Sequence, residues 1–223
     1  IPGLVELHTD HLENHYRPRP GVFWDARASL HAHDVQIAGS GITTVFDAVR
    51  IGSDLDMPEM LEHAGHMVDA VRTGRDGGWL RADHLIHLRC ELPSSDVIEH
   101  FEHFVDHPTT RLISLMDHTP GQRQFTSLET YKLFYKKQLG GTEEEVERYL
   151  AAALAQHERY AGPNRRHLVR RARELNLAMA SHDDATLAHV EEAVEDGVAI
   201  AEFPTTLEAA AAAYLHGFAD MPF

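Results

Sequence analysis

The sequence predicts an α/β fold of the TIM (β/α)8 barrel type, present here in part, and three observations predict it. Apolar strand-like stretches alternate with helix-like ones, the signature of a parallel sheet built from βα units. The 223 residues suffice for one large single-core domain. Histidine or carboxylate residues also stand at the ends of four strand-like stretches, where a barrel of this type forms its active-site mouth.

The elements follow in order. Strands are expected at Leu4 to Leu7, Thr43 to Asp47, Leu85 to Cys90, Leu112 to Met116, Leu177 to Ala180 and Val198 to Glu202. Helices are expected near Ala28 to Ala38, Pro58 to Arg72, Asp96 to Val105, Leu128 to Gln138, Glu143 to Tyr160, Arg165 to Leu175, Ala185 to Glu195 and Leu207 to Leu215. That makes about six βα units within a single barrel domain over 1–223. A closed barrel has eight strands and about 250 residues, so two units are expected to be missing after His216-Gly217. Residues 121–163 hold two helices and no strand, and read as an insertion after the fourth strand, a lid or an oligomer contact.

Composition excludes several partners. A formal charge of -15 argues against nucleic acid and anionic membrane surfaces, which attract basic patches. No apolar run approaches the roughly 18 to 20 residues that span a bilayer. Cys90 is the single cysteine, so neither an intrachain disulfide nor a cysteine zinc cluster can form, and a reducing cytoplasm is the default. The abrupt start Ile1-Pro2-Gly3 is unlike a signal peptide, and the beginning of the gene product is expected to be absent. Of the 18 histidines, His63, His66, His100, His103 and His107 recur at helix-face spacing and are expected to be structural.

The chemistry lies at the strand ends. His8 and Asp10 are two residues apart, so the period-two alternation of a strand turns both the same way. Glu91, His118 and His182 follow the third, fourth and fifth strands. Four strand ends delivering such groups suit a divalent ion, zinc first with manganese or iron(II) as alternatives, one or two per chain, and hence hydrolysis by an activated water. A lone histidine after a strand is more often a hydrogen-bonding residue than a ligand, and only the recurrence outweighs that reading. In Asp183-Asp184 one carboxylate is expected to cap the following helix. The other, Asp183, is kept as general base or as partner of His182. His33-Asp34 reads as structural, Asp47 as a partner of Arg50 or a loop, and Arg89 as the partner of a buried carboxylate such as Glu6. Arg17, Arg19, Gln122 and Arg123 lie in loops at the mouth and are candidates for holding phosphate groups. A solvated loop or a salt bridge is an even alternative for them. Thr205-Thr206 either caps the next helix or offers backbone N–H groups to an anion.

The strings Pro2-Gly-Leu-Val-Glu-Leu-His8-Thr-Asp10, Gly41-Ile-Thr-Thr-Val-Phe-Asp47, His87-Leu-Arg-Cys-Glu91, Asp117-His118-Thr-Pro-Gly-Gln-Arg123-Gln-Phe, Ser181-His182-Asp-Asp-Ala-Thr and Ala201-Glu-Phe-Pro-Thr-Thr206 together resemble one family. They are similar to the PhnM-type α-D-ribose 1-methylphosphonate 5-triphosphate diphosphatases of the carbon–phosphorus lyase pathway, members of the amidohydrolase superfamily. The first string identifies only the superfamily; the fourth and fifth are far more specific. The resemblance implies a cytoplasmic enzyme that releases pyrophosphate from a ribosyl triphosphate through metal-activated water, with His8, Asp10, Glu91, His118 and His182 as ligands and Asp183 and His182 in catalysis. His8 and Asp10 stand in place of a His-x-His pair, and Glu91 where relatives carry a carboxylated lysine or a glutamate. The sixth strand offers Glu202 instead of the histidine many relatives carry. The eighth-strand aspartate, a Gly-rich Ser-His segment and the small β-sandwich of such enzymes have no counterpart here. Two other readings stay open: an amidohydrolase or deaminase acting on a cyclic amide or amine, and an inactive fragment or binding module. Homo-oligomers are common among such barrels.

Overall fold

The computed structural model describes residues 2–53, 60–123 and 142–221. The chain forms two compact units, the first Ile1–Arg89 with Glu99–Ile113 and the second Cys90–Ile98 with Ser114–Phe223.

The first unit begins with β1 (Leu4–Thr9), α1 (His11–Tyr16), α2 (Ala26–Gly39), β2 (Ile42–Ile51) and α3 (Met60–Asp76). It goes on through most of β3 (Asp83–Glu91) and α4 (Val97–Phe104), then the start of β4 (Thr110–Met116). Its strands neighbour one another in chain order, and β1 and β2 run parallel, with Thr9 opposite Asp47. Asp25 caps α2 by accepting from the Ala28 N–H. Gly41, at φ 81°, takes the left-handed conformation that turns the chain from α2 into β2. The apolar seam between them holds Ile37, Val45 and Ala82.

Helix α1 occupies residues expected to be loop. Its six residues are too few for a helical period to be legible, yet the i, i+4 pair Leu12 and Tyr16 is buried. Three of the histidines expected to be structural have hydrogen-bond partners within this unit. The Tyr16 hydroxyl bonds Nδ1 of both His63 and His66, and His100 Nδ1 accepts from the Gly52 N–H.

Two pairings differ from expectation. Asp47 was expected to end a strand and meet Arg50 or a loop, but β2 continues to Ile51, so Asp47 is fully buried. A carboxylate there needs donors from side chains of the same interior. His33 Nε2 donates to its Oδ1 and His84 Nδ1 to its Oδ2, each at 2.8 Å. Arg89 was expected to take Glu6; it bonds Asp10 at 2.6 Å, while Glu6 turns back to accept from the His8 N–H.

The second unit contains the ends of β3 and β4, α5 (Glu143–Gln156), a π-helical turn (His157–Ala161), α6 (Gly162–Leu175), β5 (Ala178–His182), α7 (Leu187–Glu195), β6 (Ile200–Glu202), α8 (Leu207–Leu215) and β7 (Ala219–Met221). Here too the strands neighbour one another in chain order. The β5–β6 and β6–β7 pairs are parallel. Thr142 and Glu145 form a reciprocal capping box at α5, and Asn176 ends α6 in the left-handed conformation.

The sequence predicted six βα units, and β7 adds a seventh strand after them. Three residues give too little pattern to announce a strand, and only pairing with β6 defines it. The gap expected between Tyr160 and Arg165 is helical, because Pro163 falls in the first turn of α6, where its missing N–H is not needed. The helix expected from Ala185 starts at Leu187, and its cap is Thr186, not either aspartate. Thr206 likewise caps α8, the plainer of its two readings. The helix expected at Leu128 to Gln138, and Pro58 at the start of another, lie outside the described residues. Among the described residues no helix is long and apolar enough to cross a membrane.

Candidate metal centre

In the second unit the C-terminal ends of β3, β5 and β6 carry Glu91, His182 and Glu202, and His118 follows the end of β4 by two residues. The His118 backbone N–H donates to Glu91 Oε1 at 3.1 Å, and its Nδ1 donates to Oε2 at 2.7 Å. Both oxygens of Glu91 therefore hold His118. The parallel register sets His182 beside Glu202, and His182 Nδ1 donates to Glu202 Oε2 at 3.0 Å. Each imidazole thus gives its Nδ1 proton to a carboxylate, the arrangement that fixes the tautomer of a metal-ligating histidine. The two rings stand 5.6 Å apart at 77°, and Phe203 meets His182 edge-on at 5.7 Å.

Asp183 completes the group. It has a φ of 54°, a left-handed conformation uncommon for a residue with a side chain and concentrated at functional sites. Its Oδ2 lies 3.5 Å from His182 Nε2, and that buried oxygen has no hydrogen bond among the described residues. One ligand atom from each of His118, His182 and Asp183 lies within 4.8 Å of the others. Two imidazoles and a buried carboxylate oxygen fit zinc, manganese or iron(II).

The first unit brings the other two expected ligands together. His8 Nε2 is 3.6 Å from Asp10 Oδ1, the same oxygen that Arg89 bonds. The His8 ring stands edge-on to His87 at 5.0 Å. In the same unit the Arg17 guanidinium lies over the Phe23 ring at 5.9 Å, and Arg19 is exposed.

No family model matches the chain. Over 217 residues, 97% of the chain, it is 45% identical to the Alpha-D-ribose 1-methylphosphonate 5-triphosphate diphosphatase of Escherichia coli (strain K12). The resemblance read from the motifs holds. The chain spans 57% of the length of that diphosphatase.

The loop after β4 holds one of the two more specific strings, and Arg123 lies at the end of its described part. Arg123 is not presented to solvent; it is buried, with Nη1 paired to Asp184 and Nη2 bonding Glu192 at 2.8 Å. The salt-bridge alternative is therefore the arrangement found for it, because a buried guanidinium without carboxylates would be an uncompensated charge. The pairing also explains why Asp184 does not cap α7. Beside Arg123 lies a cavity of ≈ 330 Å³ whose lining includes Asp117, Gln122, His157 and Arg165. His157 Nδ1 donates to Asp117 Oδ2 at 2.7 Å, and that bond raises the His157 pKa above its usual value. The His189 pKa is lowered, first by burial and then by the Arg123 charge. Its Nδ1 accordingly accepts from the Ala185 N–H.

Sequence reasoning missed Asp117, His157 and Asn164. Asp117 carried a signal, since it immediately precedes His118 within a specific motif. His157 and Asn164 carried none. Their partners lie 40 and 70 or more residues away, which no local pattern reports.

Proposed function

We propose that this chain belongs to a divalent-metal-dependent diphosphatase that releases pyrophosphate from α-D-ribose 1-methylphosphonate 5-triphosphate. The identity of 45% across 97% of the chain to a diphosphatase of that name is the observation that carries this reading. The donor set His118, His182 and Asp183 supports it, and the strand-end pattern in the sequence adds His8, Asp10 and Glu91 to the proposed ligands. We take the architecture to be that of a (β/α)8 barrel of the amidohydrolase type. The lone, buried Cys90 fits a reducing cytoplasm.

A divalent ion, zinc first, supplies Lewis acidity toward a phosphoryl oxygen and makes water a nucleophile near neutral pH. The protein's own groups do the rest. Glu91 and Glu202 hold the His118 and His182 imidazoles in one tautomer and one orientation. Asp183, whose buried Oδ2 has no hydrogen bond among the described residues, takes a proton from the attacking water. Arg17 and Arg19, in the loop after α1, offer positive charge to the triphosphate of a substrate that an acidic protein would otherwise repel.

Pyrophosphate and orthophosphate release from the ribosyl triphosphate, measured on the full protein before and after metal removal and zinc restoration, tests the reading. Pyrophosphate release that is lost and regained with the metal is expected. Orthophosphate alone, or turnover indifferent to chelation, would overturn it. Arg17→Ala and Arg19→Ala are expected to raise the KM for the triphosphate; an unchanged KM favours a cyclic amide as substrate.

A further inference from the structure

We propose that Arg123 is a positioning residue for the metal centre, a clamp that aligns the loop bearing His118 with the loop bearing Asp183, and not a contact for substrate phosphate. The inference rests on the metal reading above and concerns residues to which that reading gave a different task or none.

The geometry is that of a tie across chain segments. Arg123 ends the described part of the loop after β4, five residues beyond His118. Its guanidinium reaches 61 residues along the chain to Asp184, adjacent to Asp183, and 69 residues to Glu192 on α7. Side-chain exposure is 5% for Arg123 and 1% for Asp184, so the pair is shielded from competing water and salt. Glu192 is held in turn by Arg165, which also bonds Asp196.

Asp184 sits where a third loop joins. Its backbone carbonyl accepts from the Thr205 N–H at 2.9 Å, and the Asp183 N–H donates to the Glu202 carbonyl at 2.9 Å. The Thr206 hydroxyl donates to the Ala185 carbonyl at 3.0 Å. The loops after β4, β5 and β6 are thus stitched at Asp184, and those loops or the strand ends beside them carry His118, His182, Asp183 and Glu202.

Charge decides between clamp and phosphate contact. Arg123 and Arg165 bring two positive charges against three carboxylates, Asp184, Glu192 and Asp196, which leaves no positive excess for an anion. A planar fork that bridges two carboxylates also uses the feature that distinguishes arginine from lysine.

The experiment uses the full protein and three variants, Arg123→Ala, Arg123→Lys and Asp184→Asn. Zinc affinity is measured by competition with a chromogenic chelator, alongside kcat and KM for the ribosyl triphosphate. A clamp predicts that each variant binds zinc about 10- to 100-fold more weakly, the range for residues that orient ligands. It predicts that kcat falls while KM at saturating zinc stays within twofold, and that Arg123→Ala combined with Asp184→Asn is no worse than the weaker single variant. Arg123→Lys guards against loss of fold, since it keeps the charge but cannot fork between two carboxylates. Zinc affinity unchanged in Arg123→Lys, or a KM raised tenfold with zinc affinity intact, overturns the clamp. Wild-type protein that binds no divalent ion overturns the clamp and the metal reading together. Loss of zinc affinity in the variants with no pyrophosphate release from wild type sinks only the assigned reaction.

Discussion

The His182 side chain shows how much one ring depends on its neighbours. Its Nδ1 proton goes to Glu202, which turns Nε2 toward Asp183. Glu202 stood out in the sequence as a departure from the histidine of many related barrels. Its partner was not legible, because the β5–β6 register sets the two side by side and register is a property of the folded sheet. Glu202→Gln is expected to weaken zinc binding by about 10- to 100-fold, measured by chelator competition; an unaltered affinity would show that the carboxylate does not orient the ring. Asp183→Asn is expected to lower kcat for pyrophosphate release by about 10²- to 10⁴-fold, the range for loss of a general base. Wild-type turnover in that variant would return Asp183 to a purely conformational role at its left-handed turn.

Between elements, buried polar groups decide how helices and strands stay aligned. In the first unit, α2, β2 and β3 meet through His33, Asp34, Asp47 and His84, all fully buried. Asp34 also accepts from the Arg81 and Ala82 N–H groups and from the Arg81 guanidinium. Burial alone would depress the His84 pKa, but the Asp47 hydrogen bond and charge, then Asp34, outweigh it and raise it. Burial would raise Asp47, and the bonds from His33 and His84 outweigh that and lower it. The two signs define a window. The raised histidine contributes stability that is complete below its unfolded pKa and lost as pH rises through its folded value. The lowered carboxylate contributes stability present above its unfolded pKa and lost as pH falls through its folded value. Thermal unfolding of the protein from pH 4 to 10 is expected to show the alkaline loss in wild type and a flatter alkaline limb in His84→Gln. Parallel profiles for the two would refute the linkage. In the second unit the buried Asn164 amide donates to the carbonyls of Leu92 and Ser94, holding the turn after Glu91. Asn164→Leu leaves both carbonyls without that donor and is expected to cost about 1–3 kcal/mol, seen as a lower Tm; an unchanged Tm would mean that water replaces the amide.

For the molecule as a whole, a bound ion is a ligand of the native state and stabilises it by mass action, about 4 kcal/mol when free metal exceeds its Kd a thousandfold. Chelation is expected to lower the Tm, and restored zinc to raise it again. A Tm indifferent to chelator would place no ion in the native protein. The net charge of -15 sets where cations must be spent, and Arg123 and Arg165 are spent inside on Asp184, Glu192 and Asp196.

The sequence by itself determined the alternation of strands and helices, the strand ends carrying His8, Glu91, His118 and His182, and the kinship with a diphosphatase. These are local facts, written in apolar period and in short contiguous strings. Only the tertiary structure decided that Asp47 serves two histidines, that Glu91 and Glu202 each hold an imidazole, that Arg123 is buried on Asp184, and that a seventh strand follows the sixth unit. Those outcomes turn on partners 14 to 61 residues apart. A polar side chain taken out of water accepts whichever opposite group the fold brings within reach, and sequence spacing does not state which one that is.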